Sequence, residues 1–221
     1  MQTGDPWYDI DGLKTALADL TYPLFFIDFE TINPAIPRFV GMRPYDQLPF
    51  QWSVHVQREP GAAPEHHEFL ATDASDPRRE FIDSLCNALG ESGNIVVYSA
   101  FESQRLSDLA VWLPEYADRI NAIQARLFDL LPIVREHTYH PAFAGSYSIK
   151  SVLPALVPEI SYEGMDVANG RDAGLVWESL VRGSLDRSER ERARKALLEY
   201  CGLDTLALLK IVQRLRSISS S

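Results

Sequence analysis

The chain has 221 residues, 46% of them hydrophobic and 24% charged, with a net charge of −10. This composition excludes a disordered chain and suits one compact α/β domain with a sizeable core, or one domain plus a small appendage; the negative charge argues against coating nucleic acid through a general basic field, but not against local binding at an acidic site neutralised by divalent ions. No run approaches the roughly 18 apolar residues of a membrane span, the polar start Met1-Gln2-Thr3-Gly4-Asp5 lacks a signal-peptide layout, and Cys86 and Cys201 read as reduced, buried thiols, so the expected compartment is cytoplasmic, with no membrane partner.

Leu13, Ala16, Leu17 and Leu20 mark one face of a helix over 9–20, so residues 1–21 are expected to be an N-terminal helical lead into the domain. Residues 22–30 read as a buried strand, apolar up to its last three positions. After a proline-rich loop, 50–58 alternates like a half-exposed strand, and 65–70 is its hairpin partner across Pro60-Gly61. A helix over 76–89 is expected to start with Asp76 as N-cap and Pro77 at its first position. Then come a short strand at 95–98 and helices over 102–113, 147–157, 172–182 and from Ser188 to about Arg216, with Ser217–Ser221 a frayed tail. The order predicts a mixed sheet with helices on both faces.

Three groups of residues can carry chemistry. Asp28 and Glu30 stand two apart in an apolar strand, so both carboxylates project from one face while Ile27 and Phe29 point to the other. Burying such a pair is costly without compensating cations or donors. Tyr200 and Asp204 are four apart and stack on one helix face. Glu102 stands at a helix start, reached from the strand Val96-Val97-Tyr98 through the short turn Ser99-Ala100-Phe101. Taken singly, each has a plain structural reading: a solvated strand end, a surface Tyr–Asp hydrogen bond, and a helix-start acid that pairs with Arg105.

Together they resemble the DEDD (DnaQ-like) 3′–5′ exonucleases of the tyrosine subgroup. Phe26-Ile27-Asp28-Phe29-Glu30-Thr31 matches the first motif and Tyr200-Cys201-Gly202-Leu203-Asp204 the last, over roughly residues 22–212. The stretch Gly145-Ser146-Tyr147-Ser148-Ile149-Lys150-Ser151-Val152-Leu153-Pro154 also resembles a bacterial domain family of unassigned function within that group, which implies a chain taken from a longer multidomain protein. The resemblance implies a ribonuclease H-like α/β fold over 22–216 with a five-stranded mixed sheet, and two Mg²⁺ or Mn²⁺ ions. Asp28 would bridge both ions, Glu30 and Asp204 would complete the first, Glu102 would serve the second, and Tyr200 would orient the attacking water. Glu102 departs from the family's usual aspartate, lengthening that ligand by about 1.5 Å. Asp129 is the other acid with a possible route to the site; a loop or cap role is the alternative.

Lys150 and Ser148, beside a helix start, are candidate substrate-binding groups for a phosphate, against the alternative of an ordinary N-cap followed by a solvated lysine. The mixed charges of Arg182–Lys195 read as a solvated helix face. His66-His67 and His137-x-x-His140 lack partners at zinc spacing. The expected function is metal-dependent cleavage of single-stranded nucleic acid ends. The alternatives are a degenerate module that binds nucleic acid or a protein without cutting, and a small-molecule phosphodiesterase.

Overall fold

A computed structural model describes residues 4–220 of the chain. In chain order the strands are β1 (Trp7–Tyr8), β2 (Leu24–Ile32), β3 (Leu48–Gln57), β4 (Glu65–Leu70), β5 (Ile95–Val97), β6 (Leu127–Asp129) and β7 (Thr138–Tyr139). The helices are α1 (Ile10–Ala18), α2 (Arg78–Leu89), α3 (Phe101–Trp112), α4 (Ala117–Gln124), α5 (Leu130–His137), α6 (Ile149–Leu156), α7 (Gly170–Val181) and α8 (Arg187–Ser219). The main sheet has the order β4-β3-β2-β5-β6. β3 runs antiparallel to β2 and β4, while β5 and β6 run parallel to β2. One antiparallel strand among five, with helices on both faces, is the ribonuclease H-like arrangement expected from the sequence. Among the described residues no helix is long and apolar enough to cross a membrane.

Side-chain alternation along β2 divides the interior in two. Phe25, Ile27 and Phe29 enter a core with Trp52, Val54, Phe81, Leu85, Leu106 and Ile120, on the side of α2, α3 and α4. Leu24 and Phe26 enter the opposite core with Leu13, Leu17, Val134, Leu153, Leu208 and Val212, on the side of α1, α5, α6 and α8. Asp28 and Glu30 continue the second face, and are therefore aimed at α8. β5 is held against β2 at a close backbone approach: Phe25 N–H donates to Asn94 O at 2.9 Å. Gly93, at φ +86°, makes the approach possible, since a Cβ there would meet Pro23 O at 2.0 Å.

Several expectations need correcting. β3 is buried along nearly its whole length rather than half exposed. Its polar positions face α8: Gln51 Nε2 donates to Leu197 O at 2.8 Å, and Ser53 and Thr205 hydroxyls lie 2.8 Å apart. The N-cap of α2 is Pro77, and Asp76 instead accepts from Arg78 N–H and grips its guanidinium. Residues 127–129 and 130–137, not assigned from the sequence, are the fifth strand and a helix. The segment expected to fray continues α8 to Ser219, with Ser219 and Ser220 hydroxyls bonded to Arg216 O; Ser221 lies outside the described residues. The expected N-terminal helix is α1, which packs Leu13 and Leu17 into the core, and β1, which the sequence did not suggest, pairs with β7.

Candidate metal centre

α8 supplies the counterpart to β2. A capping box of Asp186 and Glu189 starts this 33-residue helix. Its buried stripe runs through Leu197, Tyr200, Cys201, Asp204, Thr205, Leu208 and Ile211, at spacings of one, three and four that keep one face on the sheet. Tyr200 and Asp204, four apart, thus meet the carboxylates of β2. Carboxylate oxygens of Asp28, Glu30 and Asp204 all lie within 4.8 Å of one another, an arrangement that can hold a metal ion. Glu30 and Asp204 are buried, while Asp28 opens partly on a cavity of about 680 Å³.

Asp28, Glu30, Glu102, Lys150, Tyr200 and Asp204 all line that cavity. Glu102 lies in the first turn of α3, after Ser99 at φ +144°, a strained turn whose hydroxyl accepts from Phe101 N–H. It is buried, and its Oε2 has no hydrogen-bond partner. Arg105 pairs with Asp108 at 2.8 Å, leaving Glu102 without the expected ion-pair partner. Glu102 stands outside the group of three mutually close carboxylates. Asp129 serves as the N-cap of α5, accepting from Leu131 N–H at 3.0 Å. Ser148 lies outside the cavity lining, with its hydroxyl on Ser146 and Ser151.

Cations are scarce in this acidic site. Lys150 Nζ donates to Ala168 O at 2.6 Å and lies 5.3 and 5.1 Å from the ring centres of Tyr162 and Tyr200. The start of α7 offers a second source of positive potential. Gly170 permits it to come close, because a Cβ there would lie 3.3 Å from Glu30 Oε2. Two partners of the acids gave no sequence signal. Tyr162 hydroxyl donates to Asp204 Oδ1, and Cys201 Sγ lies 3.6 Å from both Asp28 O and Oδ2. Both cysteines are free and buried. His137 pairs with Asp9, and His66 with Ser53.

The proton affinities follow from crowding. Burial pushes Glu30 up to about 8, with repulsion from Asp204 adding to it and Lys150 opposing. Burial likewise lifts Glu102 to about 8. Asp28 stands well above the carboxylate range, through burial first and then repulsion from Asp204 and Glu30. Burial raises Asp204 only to about 6, because the Tyr162 hydroxyl, then Lys150 and Tyr200, stabilise its charge. A carboxyl whose folded pKa is raised holds its proton more tightly folded than unfolded. Its contribution to stability is therefore lost as pH climbs toward the folded value. Burial lowers His55 to about 4 and also lowers His66, which acts in the opposite direction, but only below the ordinary histidine value of 6.5. In EDTA, the melting temperature is thus expected to fall from pH 6.5 to 8.5, with a slope of up to about 1.4 kcal/mol per pH unit for each retained proton. A flat or rising profile over that range would show that these carboxylates are already compensated within the protein.

With the geometry established, relatives can be placed. The family described as "Domain of unknown function (DUF2779)" matches residues 25–148, more than half of the chain, so the chain belongs to that family. The matched segment contains Asp28, Glu30 and Glu102, and ends before Lys150, Tyr200 and Asp204. "Uncharacterized protein MG366" of Mycoplasma genitalium is 28% identical over 206 residues, covering 85% of this chain and 31% of that protein. The chain thus spans about a third of the length of this relative. No solved structure matches the chain.

Proposed function

We propose that this member of the DUF2779 family is a metal-dependent nuclease, a 3′–5′ exonuclease acting on single-stranded DNA or RNA ends. The observation that carries the reading is the convergence, on a single open cavity, of three mutually close carboxylates with a fourth buried one whose Oε2 has no hydrogen-bond partner. Within that cavity's lining the charged cations are Lys150 and Arg171, too few to balance the acids. A hard divalent cation with oxygen ligands fits this donor set; sulfur and nitrogen ligands of the kind zinc favours do not line the cavity. Asp28, Glu30 and Asp204 would hold one Mg²⁺ or Mn²⁺, and Asp28 with Glu102 a second. Ions held there would supply the charge that activates a water and stabilises the leaving 3′ oxygen of a phosphodiester.

The chain's own groups complete the site. Tyr200 faces the cavity beside Asp204, where its phenol can orient a water; burial and the neighbouring acids raise its pKa, so it stays protonated. Lys150 presents its ammonium to the same cavity, placed to meet a phosphate oxygen. A labelled single strand should be shortened from its 3′ end with Mn²⁺ or Mg²⁺, and EDTA should stop the reaction. Intact substrate at all ion concentrations would sink the proposal.

A second reading has one observation in its favour. Glu102 stands outside the group of three close carboxylates, which fits a site holding a single ion and binding nucleic acid without cutting it. That reading requires retention of the labelled strand with Mn²⁺ and no shortening.

A further inference from the structure

The site contains two tyrosines, and they relate to it differently. Tyr200, on α8, lines the cavity. Tyr162 is absent from the cavity lining, yet its hydroxyl donates directly to Asp204 Oδ1. It comes from the segment between α6 and α7, so it reaches Asp204 from outside β2, α3 and α8, the elements that carry the proposed ligands. The same segment is fixed at another point, where Lys150 Nζ donates to Ala168 O. Lys150 also lies over the faces of both tyrosine rings, whose centroids are 6.4 Å apart.

We infer that Tyr162 is a positioning residue for the metal ligand Asp204, holding one carboxylate oxygen through its hydroxyl so that the carboxylate faces Asp28 and Glu30. The inference rests on the carboxylate cluster being a metal site, and adds to it a residue outside both recognised motifs. Asp204 is surrounded by acids, which favour its turning away when no ion is bound. A side chain held by a neutral donor from outside the cavity resists that without occupying a position an ion or water needs. Outer hydrogen-bond partners of metal ligands commonly affect metal affinity by 10–100-fold. Tyr200, which lines the cavity, also helps to stabilise the Asp204 charge, so Tyr162 is the donor that does so from outside the lining. The 157–169 segment is in consequence part of the metal site, although it contributes no ligand.

The test is Mn²⁺ binding by the full chain, measured as free Mn²⁺ by electron paramagnetic resonance, for wild type and Tyr162→Phe. Phenylalanine keeps the ring beneath Lys150 and removes only the donor. Binding about tenfold weaker is expected in the variant. Its cleavage, where measured, should need more Mn²⁺ for half-maximal rate while approaching the wild-type rate at saturation. Far-UV circular dichroism and the melting temperature monitor folding separately: a variant that keeps the wild-type spectrum and a cooperative melt but binds Mn²⁺ more weakly has lost the positioning of Asp204 and not the fold. Wild type and Tyr162→Phe binding Mn²⁺ within twofold of each other would overturn this inference alone. Failure of wild type to bind Mn²⁺ would overturn the metal site, and this inference with it.

Discussion

Asp28→Asn is expected to abolish divalent-ion-dependent cleavage, by ~10³-fold or more, which corresponds to about 4 kcal/mol of barrier. At the same time it should raise the melting temperature of the metal-free protein. Both effects come from the position of Asp28 at the centre of the cluster, where it feels repulsion from Asp204, Glu30 and Glu102. The amide is nearly the same size and shape, so the β2 backbone and the Cys201 contact to Asp28 O are retained. What is lost is one oxygen ligand that ionises when a cation binds, and with it the cost of keeping a buried, crowded carboxyl protonated at neutral pH in the empty site. The fall in stability between pH 6.5 and 8.5 should also become shallower in this variant. Rates are compared at saturating Mn²⁺, and melting in EDTA. Wild-type cleavage by Asp28→Asn would move the chemistry away from this cluster.

The Glu102 series carries the second large effect. The carboxylate is buried, with an Oε2 that no protein donor satisfies. A buried, partnerless carboxylate oxygen is costly to keep unless something else occupies its place. The strained Ser99 turn and the first turn of α3 present it to the cavity with a glutamate's reach. Shortening the residue to aspartate withdraws the carboxylate by about 1.5 Å, large against metal–oxygen distances of about 2.1 Å. Glu102→Asp should therefore slow cleavage about tenfold, some 1.4 kcal/mol, and Glu102→Ala about a hundredfold. A faster Glu102→Asp enzyme would instead mark the site as degenerate, with aspartate restoring a lost ligand. Equal rates in all three proteins would remove Glu102 from the ligand set.

Much of this arrangement is legible in the sequence because two periodicities point at one another. Alternation in Phe25–Glu30 puts both acids on one face of β2, and the four-residue step from Tyr200 to Asp204 puts phenol and carboxylate on one face of α8. The apolar run leading into Asp28 shows that this end of the strand is enclosed. Other parts are hidden for physical reasons. β6 has only three residues, Leu127-Phe128-Asp129, each partly exposed, and passes directly into α5, so no strand period can develop. β3 alternates polar and apolar residues because its polar face meets Gln51, Ser53 and Thr205 hydrogen bonds under α8, a pattern that imitates a solvated face. Tyr162 lies in an irregular segment without periodicity, and its role arises only when α8 brings Asp204 to it. The placement of Lys150 at the cavity follows from the fold, whereas Ser148, two residues earlier, turns to its serine neighbours instead.

The most direct test is a crystal structure of the chain soaked in Mn²⁺, read from anomalous difference density. Two peaks about 4 Å apart are expected, one among Asp28, Glu30 and Asp204 and the other between Asp28 and Glu102. Density showing no ion at these carboxylates at saturating Mn²⁺ would contradict the proposed function at its foundation.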